Sequence, residues 1–286
     1  MSATSSPRIV YVNGRYCPIE EAAIPVMDRG FLFGDGIYEV TAVLEGRLVD
    51  NEPHLQRLGR SLGEIGIRNP HSLEEWTAIQ RELMARNGLK EGLIYIEVTR
   101  GVFERDFTCP ADLTPTVVMF TQAKKLRDNP AARTGAAVIT LPDLRWARRD
   151  IKSVALLAQV LAKQAAKAAG VAEAWMVEDG FVTEGASSTA FIITEAKEVI
   201  TRPPSHAVLP GITRQTVMRL AARHGLTLTE RLFTVDEALA AREAFFTSAS
   251  TFAMPVVTID GKPVGGGTPG PLVQELRGLY VEAALS

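Results

Sequence analysis

The sequence has few cysteines, no surplus of either charge and no long apolar run, and each of these absences excludes a class of protein. Its 286 residues include two cysteines, Cys17 and Cys109, which are too few for a disulfide framework. The 31 lysines and arginines are balanced by 33 acidic residues, so the chain lacks the positive charge that binding to nucleic acid phosphates requires. No apolar run approaches the roughly 20 residues that a membrane-spanning helix needs. We therefore expect no nucleic acid partner and no membrane partner.

Motifs for metal binding and for common hydrolytic or nucleotide chemistry are also missing. The four histidines are dispersed, and none has the spacing of a metal-binding pair. There is no G-x-S-x-G and no G-x-x-x-x-G-K-[ST] motif. The first residues, MSATSSPR, do not show the basic and then apolar pattern of a secretory signal. These observations predict no bound metal and a cytoplasmic location.

Hydrophobic periodicity predicts an α+β chain, because strands and helices occur in runs and do not alternate strictly. Predicted turns at Asn13-Gly14, Glu45-Gly46 and Asp179-Gly180 lie between strand-like runs, which is typical of hairpins. Asn51 is predicted to cap a helix. Ser72 and Glu75, three residues apart, are predicted to form a capping box for the next helix.

A polar stretch that contains proline and glycine divides the chain. It is AKKLRDNPAARTG, residues 123–135, and it separates two apolar strand candidates, so we interpret it as a linker. This interpretation predicts a small N-terminal domain over 1–122 and a larger C-terminal domain over 136–286.

Lys152 lies just before a predicted Ala-rich helix, at about 153–169, in the segment RRDIKSVALLAQVLAKQ. The apolar positions expected to form a buried stripe on this helix are Val154, Leu157, Ala158, Leu161 and Ala165. Lys152 is thus expected to start near the core, whereas Lys163 and Lys167 are typical of solvated helix lysines. Apolar surroundings favour the neutral amine, which attacks carbonyl carbons. Structural lysines nevertheless outnumber catalytic ones, so the segment alone leaves both interpretations open.

Two further segments each allow a structural and a functional interpretation. Glu184 lies between a strand and a turn of small residues, where an acidic residue is often a plain turn residue. In LPGITR, Gly211, Ile212 and Thr213 lie at a predicted helix N-terminus, where backbone N–H groups and the helix dipole favour an anion such as phosphate. An ordinary capped helix explains the same residues.

Taken together, seven segments resemble the class IV, or fold-type IV, pyridoxal-phosphate aminotransferases. They occur in that family's order and at its spacings, over nearly the whole chain: FLFGDGIYEV, HLQRL, VTRGVFERD, DIKSVALLAQVLAKQ, VTEGASSTAFII, LPGITR and FFTSAS. The subgroup that the chain resembles most is the D-amino acid aminotransferases, with (R)-selective amine transaminases and branched-chain enzymes more distant. The resemblance implies a two-domain α+β fold, with a small N-terminal α/β domain, a larger β-rich C-terminal domain and pyridoxal 5′-phosphate at the cleft.

The resemblance also implies roles for individual residues in holding the cofactor. Lys152 would bind pyridoxal phosphate as a Schiff base and move a proton during the reaction. Glu184 would lie against the pyridine nitrogen and keep it protonated. Leu209 would pack on the face of the ring. The phosphate group would be bound by Arg57, Ile212, Thr213 and Ala249.

Three positions are implied in binding the carboxylate of the substrate. In the D-amino acid enzymes a tyrosine, an arginine and a histidine surround it, and Tyr38 and Arg105 match the first two. Phe107 stands where the histidine is expected, which removes a hydrogen-bond donor and adds apolar surface. Loss of one donor from a buried anion site costs about 1–3 kcal/mol. We therefore hypothesise weaker discrimination for D-amino acids and some tolerance of (R)-amines that lack a carboxylate.

Other arginines near the matched segments are candidates to supply the missing charge. A solvated or structural role is the more frequent explanation for each of them. They are Arg29, Arg100, Arg145, Arg148 and Arg149.

The implied function is transfer of an amino group from a D-amino acid, with an (R)-primary amine as a further donor, to an α-keto acid. A branched-chain L-amino acid aminotransferase and an aminodeoxychorismate lyase are the alternatives within the family, and the VTRGxxxR spacing favours an aminotransferase over the lyase. A non-catalytic α+β binding protein, in which Lys152 is a lysine with a buried stem, is the alternative from another class. The resemblance further implies a homodimer in which Arg105 reaches the pocket of the neighbouring subunit.

Overall fold

The chain is divided into two units, each with its own β-sheet and helices. The computed structural model describes residues 7–286, so residues 1–6, on which the expectation about a secretory signal partly rests, lie outside the described residues. Unit 1 comprises the residues up to Lys125 together with Ile151–Ala155, and unit 2 comprises Leu126–Asp150 and Leu156–Ser286. The predicted linker, 123–135, contains the end of the last strand of unit 1 and a short helix of unit 2.

Unit 1 is built on an antiparallel sheet of six strands. These are β1 (Ile9–Val12), β2 (Arg15–Pro18), β3 (Gly36–Leu44), β4 (Arg47–Leu48), β5 (Gly92–Thr99) and β6 (Thr116–Ala123). The strand order in the sheet is β2-β1-β6-β5-β3-β4. The helices are α1 (Arg29–Phe33), α2 (Asn51–Glu64) and α3 (Leu73–Arg86), and a short 3₁₀ helix covers Ile19–Glu21.

Alternation along the strands of unit 1 produces its hydrophobic core. Ile94, Ile96 and Val98 occupy every second position of β5 and are fully buried. They lie in one cluster with Leu58 of α2 and Trp76 of α3. One face of the sheet is therefore covered by the two long helices.

Unit 2 contains a mixed sheet of nine strands. They are β7 (Ala136–Pro142), β8 (Glu173–Glu178), β9 (Phe181–Gly185), β10 (Thr189–Ile193), β11 (Glu198–Thr201), β12 (Thr227–Glu230), β13 (Glu243–Ser248), β14 (Phe252–Ile259) and β15 (Lys262–Pro263). The strand order is β12-β11-β10-β13-β14-β7-β8-β9, with β15 paired to β14. The helices are α4 (Pro130–Thr134), α5 (Leu157–Ala168), α6 (Ile212–Arg223), α7 (Val235–Ala240) and α8 (Pro271–Leu285).

The predicted hairpin turns and the predicted capping box are confirmed. Asn13-Gly14, Glu45-Gly46 and Asp179-Gly180 each join paired antiparallel strands, and all six residues have positive φ. Two successive residues of positive φ are typical of the type I′ turn. Ser72 and Glu75 exchange side-chain and backbone hydrogen bonds at the start of α3.

Two predicted helix starts differ from the structure. Helix α2 begins at Asn51, and its N-cap is Asp50, with a φ of 51°. Helix α5 begins at Leu157 and not at 153, because Ser153 and Val154 pair with the backbone of β3 instead. Periodicity within the segment does not reveal this pairing.

The predicted buried stripe on α5 is wrong. Leu157 and Leu161 are 72% and 55% exposed, and the buried residues of the helix are Ala162 and Ala166. These two alanines lie in a small hydrophobic cluster with Ala174 of β8. The small side chains bring the helix close to the sheet, so the alanine face is buried in place of the leucine face.

Within residues 7–286, no helix has the length and apolar character that crossing a bilayer requires. Cys17 is buried and Cys109 is half-buried, and both are free thiols. In the same part of the chain, no group of three or more histidine, cysteine or acidic side chains is arranged to hold a metal ion.

Arg277 of α8 is a buried guanidinium that binds backbone carbonyl groups. Its Nη1 donates to the carbonyl oxygens of Thr251 and Ala253 at 2.5 and 3.1 Å. Its Nη2 donates to those of Leu126 and Arg127 at 2.7 and 3.3 Å. Burial lowers the pKa of this guanidinium. The side chain therefore ties the start of β14 to the first residues of unit 2.

Replacing Arg277 with leucine deprives four carbonyl oxygens of a charged donor. We expect the Arg277→Leu substitution to lower the free energy of unfolding by roughly 2–4 kcal/mol. Urea unfolding of the full chain, followed by tryptophan fluorescence to which the buried Trp175 of unit 2 contributes, measures this loss. The exposed Arg223 supplies the control, because Arg223→Leu should change stability by less than about 0.5 kcal/mol. Equal stability of the two variants would contradict the expectation.

Candidate active site

The segment Ile151–Ala155 runs beside β3 and places Lys152 against an aromatic ring. The backbone N–H of Tyr38 donates to the carbonyl of Lys152 at 2.9 Å, and the N–H of Val154 donates to the carbonyl of Gly36 at 3.0 Å. The Lys152 Nζ lies 4.1 Å from the centroid of the Tyr38 ring. An ammonium group at this distance is attracted by the ring face. Unit 1 thus brings together two of the predicted site residues.

The ring of Tyr38 belongs to a row of aromatic side chains on one face of the sheet. Its centroid lies 5.6 Å from that of Tyr95, which in turn lies 4.8 Å from that of Phe120. The Tyr95 hydroxyl donates to Glu97 Oε2 at 2.7 Å. Burial raises the pKa of the Glu97 carboxyl, although the hydrogen bond from Tyr95 opposes this shift. The surface beside Tyr38 therefore combines aromatic rings with the hydrogen-bonded Glu97 carboxyl.

Arg57 of α2 is bound by a buried carboxylate of β3. Its Nε and Nη2 donate to Glu39 Oε1 and Oε2 at 2.6 and 2.9 Å. His54 Nδ1 lies 2.8 Å from Glu39 Oε2. Burial by itself would raise the pKa of the Glu39 carboxyl, but the Arg57 guanidinium and the hydrogen bond from His54 hold it well below its usual range. The predicted phosphate-binding arginine is thus held in place by a charge-assisted pair.

Glu184, at the end of β9, is a buried carboxylate with two hydrogen-bonding partners. The backbone N–H of Leu209 lies 3.2 Å from each of its oxygens, and Arg145 Nη1 donates to Oε1. Burial raises the pKa of the Glu184 carboxyl, although Arg145 and the N–H of Leu209 oppose this shift. Unit 2 thereby brings together Glu184 and Leu209, two of the predicted cofactor-binding residues.

A second carboxylate, Asp143, binds the same arginine. Asp143 Oδ2 accepts from Arg145 Nη2 at 2.7 Å and from the Thr183 hydroxyl at 2.6 Å. Burial by itself would raise the pKa of Asp143, but its hydrogen bond and attraction to Arg145 lower it. Arg145 therefore lies between two buried acids, and its own pKa is raised by Glu184 and Asp143 despite burial.

The N-terminus of α6 has no side-chain cap and lies beside two threonines of the sheet. Ile212 and Thr213 are buried in its first turn. A Cβ at Gly211 would lie 2.7 Å from Thr189 Oγ1, so only glycine leaves this space open. Thr189 is paired in register with Thr247, whose buried hydroxyl has no hydrogen-bond partner among the described residues. Backbone N–H groups and an unpartnered hydroxyl are suitable donors for a phosphate group.

Ala249 lies in the half-buried turn that follows β13. The Ser248 hydroxyl lies 3.2 Å from that of Ser250 and 2.7 Å from that of Thr251. The turn therefore presents Ala249 between hydroxyl side chains of unit 2.

Arg105 and Phe107 lie in the exposed segment between β5 and β6 of unit 1. The guanidinium carbon of Arg105 lies 5.8 Å from the centroid of the Phe107 ring. These two predicted substrate-binding residues are thus neighbours. The third, Tyr38, lies in β3, in a different part of the sequence of unit 1.

The arginines considered as substitutes for the missing donor are bound by acidic side chains. The pairs are Arg29–Asp35, Arg100–Asp35, Arg145–Glu184, Arg148–Asp150 and Arg149–Glu178. Each of these guanidinium groups is already bound by a carboxylate, so none of them stands out as a replacement for the missing donor.

A family comparison places this arrangement among known proteins. Residues 36–259 match the family described as amino-transferase class IV. The chain belongs to the class IV aminotransferases. This confirms the family that the order of the motifs indicated, and the α+β fold class is confirmed as well.

Individual relatives of this class IV aminotransferase match it over nearly their whole length. The D-alanine aminotransferase of Bacillus licheniformis is 38% identical over 277 residues, which is 97% of this chain and 97% of that protein. The D-alanine aminotransferase of Staphylococcus aureus (strain MSSA476) is 37% identical over 269 residues, 94% of this chain and 95% of that protein. The structure of the branched-chain aminotransferase of Thermoproteus uzoniensis with norvaline is 27% identical, with a TM-score of 0.85, and the match covers 97% of this chain and 94% of that chain.

Sequence reasoning missed the charged partners of the predicted residues in this aminotransferase. Glu39 and Asp143 were not singled out, although each binds an arginine of the candidate site. One signal for Glu39 was present, since an acidic residue in the middle of an apolar strand requires a partner when it is buried. Asp143 lies in a loop after β7 and carried no comparable signal.

Removing the charge of Glu39 leaves a buried guanidinium without its carboxylate. We expect the Glu39→Gln substitution to lower the free energy of unfolding by about 3–5 kcal/mol at neutral pH. Because the pKa of Glu39 is depressed in the folded chain, its contribution is present above its unfolded pKa of about 4.3 and is lost as the pH falls further. The difference between wild type and variant should therefore shrink in acid, which urea unfolding between pH 7 and pH 3 measures.

The control for this experiment is the exposed Glu64 of the same unit, which lies 3.7 Å from Arg60. Glu64→Gln should cost less than about 1 kcal/mol, as is usual for a surface pair. A stability difference for Glu39→Gln that stays constant from neutral to acidic pH would show that the carboxylate is not stabilised by its charge.

Proposed function

We propose that this class IV aminotransferase transfers the amino group of a D-amino acid to an α-keto acid with pyridoxal 5′-phosphate as its cofactor. The observation that carries the proposal is the position of Lys152, whose amine lies over the ring of Tyr38. Both residues lie within the range 36–259 that matches the family. The 38% identity to a D-alanine aminotransferase over 97% of both chains supports the choice of a D-amino acid.

The residues present fit the proposed cofactor. The uncapped N-terminus of α6, the space at Gly211 and the unpartnered Thr247 hydroxyl suit its phosphate group. We assign Ile212 and Thr213 to this group, with Ala249 and Arg57 as further phosphate-binding residues. When bound, pyridoxal phosphate supplies an electron-withdrawing ring that stabilises negative charge on the substrate carbon.

The chain's own residues would hold the cofactor and move protons. Lys152 would attach the cofactor covalently, and its amine would carry a proton between the reacting carbon atoms. Glu184, held by Arg145 and by the N–H of Leu209, would place a carboxylate against the ring nitrogen. Leu209 would contact the ring face with its side chain.

The proposed substrate site uses Tyr38, Arg105 and Phe107. Arg105 offers an N–H fork that matches the geometry of a carboxylate, and Tyr38 adds a hydroxyl. Phe107 adds apolar surface, which suits an (R)-primary amine as a second donor. The branched-chain L-amino acid alternative is favoured only by the structural likeness to a branched-chain aminotransferase, and the hand of the preferred donor distinguishes it.

We further propose a cytoplasmic homodimer in which Arg105 serves the neighbouring subunit. Exposed apolar side chains in both units support an interface with a second copy. In unit 1 these include Phe31 and Phe107, at 70% and 80% exposure, and in unit 2 Leu157 and Leu161.

Loss of the Lys152 amine should remove the activity without unfolding the chain. We expect Lys152→Ala to reduce the rate of transamination between D-alanine and 2-oxoglutarate by about 10²–10⁴-fold. Borohydride reduction of the wild type with pyridoxal phosphate should attach the cofactor at Lys152, as mass spectrometry of the peptides can show. The exposed Lys167 is the control, since Lys167→Ala should retain full activity. Faster reaction with L-leucine than with D-alanine would favour the branched-chain alternative.

Mixed dimers test whether Arg105 acts in the neighbouring subunit. An Arg105→Ala chain and a Lys152→Ala chain should each be inactive alone. After refolding together, one site of each heterodimer would contain both residues, so about a quarter of the wild-type activity is expected from random pairing. No recovery in a mixture that forms heterodimers would place Arg105 in its own subunit's site.

A further inference from the structure

The segment between β5 and β6 holds Arg105 beside two aromatic rings. The guanidinium carbon of Arg105 lies 5.7 Å from the centroid of the Phe33 ring and 5.8 Å from that of Phe107. The two rings contact each other, with their centroids 5.6 Å apart and their planes at 40°. A guanidinium within about 6 Å of a ring is attracted by the ring's quadrupole. Both rings therefore restrict the orientation of this side chain.

Arg105 differs from the neighbouring arginines in its polar contacts. Over residues 7–286, its guanidinium N–H groups make no hydrogen bond and no ion pair. Arg29 and Arg100, by contrast, both donate to Asp35. An arginine that is held through its contacts with rings keeps its N–H fork available for a planar anion such as a carboxylate.

Arg29 fixes the backbone that carries these side chains. Its Nη1 donates to the carbonyl of Asp106 at 2.6 Å and its Nη2 to that of Phe107 at 3.2 Å. Its guanidinium carbon also lies 4.8 Å from the centroid of the Phe33 ring. Asp106 Oδ1 accepts from the N–H and the hydroxyl of Thr108 at 2.9 and 3.0 Å. The exposed Phe107 ring is therefore attached to a backbone with well-defined hydrogen bonds.

We propose that Phe33 and Phe107 form an aromatic seat that positions Arg105 for the carboxylate of the substrate. The proposal rests on the proposed function, in which Arg105 binds that carboxylate. At position 107 the phenylalanine ring stands where a histidine donor was expected. The ring orients the Arg105 guanidinium and does not itself donate a hydrogen bond to the carboxylate. Phe33 and Phe107 are thus positioning residues, and the seat increases the affinity of the site for the carboxylate of a donor.

Binding of propionate, a carboxylate without an amino group, tests the seat independently of turnover. Calorimetric titration of the holoenzyme should give a Kd for propionate that is about three- to fivefold higher in Phe107→Leu, because leucine fills space but has no ring face. Phe107→Tyr keeps the ring and should restore the wild-type Kd. Val26→Ala is the control, since Val26 is an apolar side chain of the same unit that is 69% exposed.

Turnover supplies a second measurement with the same variants. In Phe107→Leu the KM for D-alanine should rise by the same factor as the Kd for propionate, with kcat within about twofold of wild type. The rate with (R)-1-phenylethylamine, which has no carboxylate, should not fall. A merely structural role of Phe107 would affect both donors equally.

The outcomes separate the seat from the proposed function. An unchanged Kd for propionate in Phe107→Leu, or an equal loss in Phe107→Tyr, would overturn the seat while leaving the proposed function intact. A wild-type enzyme that does not transaminate D-alanine, but whose affinity for propionate still falls in Phe107→Leu, would refute the proposed function alone. An Arg105→Ala variant with unchanged affinity for propionate would overturn the carboxylate role and the seat together.

Discussion

The backbone pairing between Ile151–Ala155 and β3 determines where Lys152 lies, and the candidate site of unit 1 depends on it. Two hydrogen bonds, from the N–H groups of Tyr38 and Val154, fix the register of the segment. Because side chains alternate along a strand, Tyr38 meets Lys152 on one face of the sheet while Glu39 meets α2 on the other. One strand therefore supports both the lysine and the arginine of the site.

Local chemistry accounts for the parts of the fold that were predictable from the sequence. Asn13-Gly14 forms its turn because positive φ values are accessible there, and Ser72 caps α3 through a residue only three positions away. The start of α5 was not predictable in the same way. Ser153 and Val154 are paired with a strand more than a hundred residues earlier in the chain, and this contact prevails over their place in a helical pattern.

In the candidate site, too, the sequence motifs indicated individual residues but not the partners that folding brings to them. The order of the motifs was enough to single out Lys152, Glu184 and Arg57, but it contained nothing about the charges that surround them. Glu39 is 18 positions from Arg57, and Arg145 is 39 positions from Glu184, so their pairing depends on how strands and helices pack. The packing also decides which arginines are already neutralised.

Unit 1 is interrupted in the chain, and this has a consequence for how the molecule is assembled. A nascent polypeptide that ends at Lys125 contains every strand of the first sheet but not the lysine, which follows only after Leu126–Asp150 have been synthesised. A single cleavage after Ala155 releases unit 1 with Lys152 only together with Leu126–Asp150 of unit 2. The segment Ile151–Ala155, which carries Lys152, is therefore the last part of unit 1 to be synthesised, after every strand of its sheet.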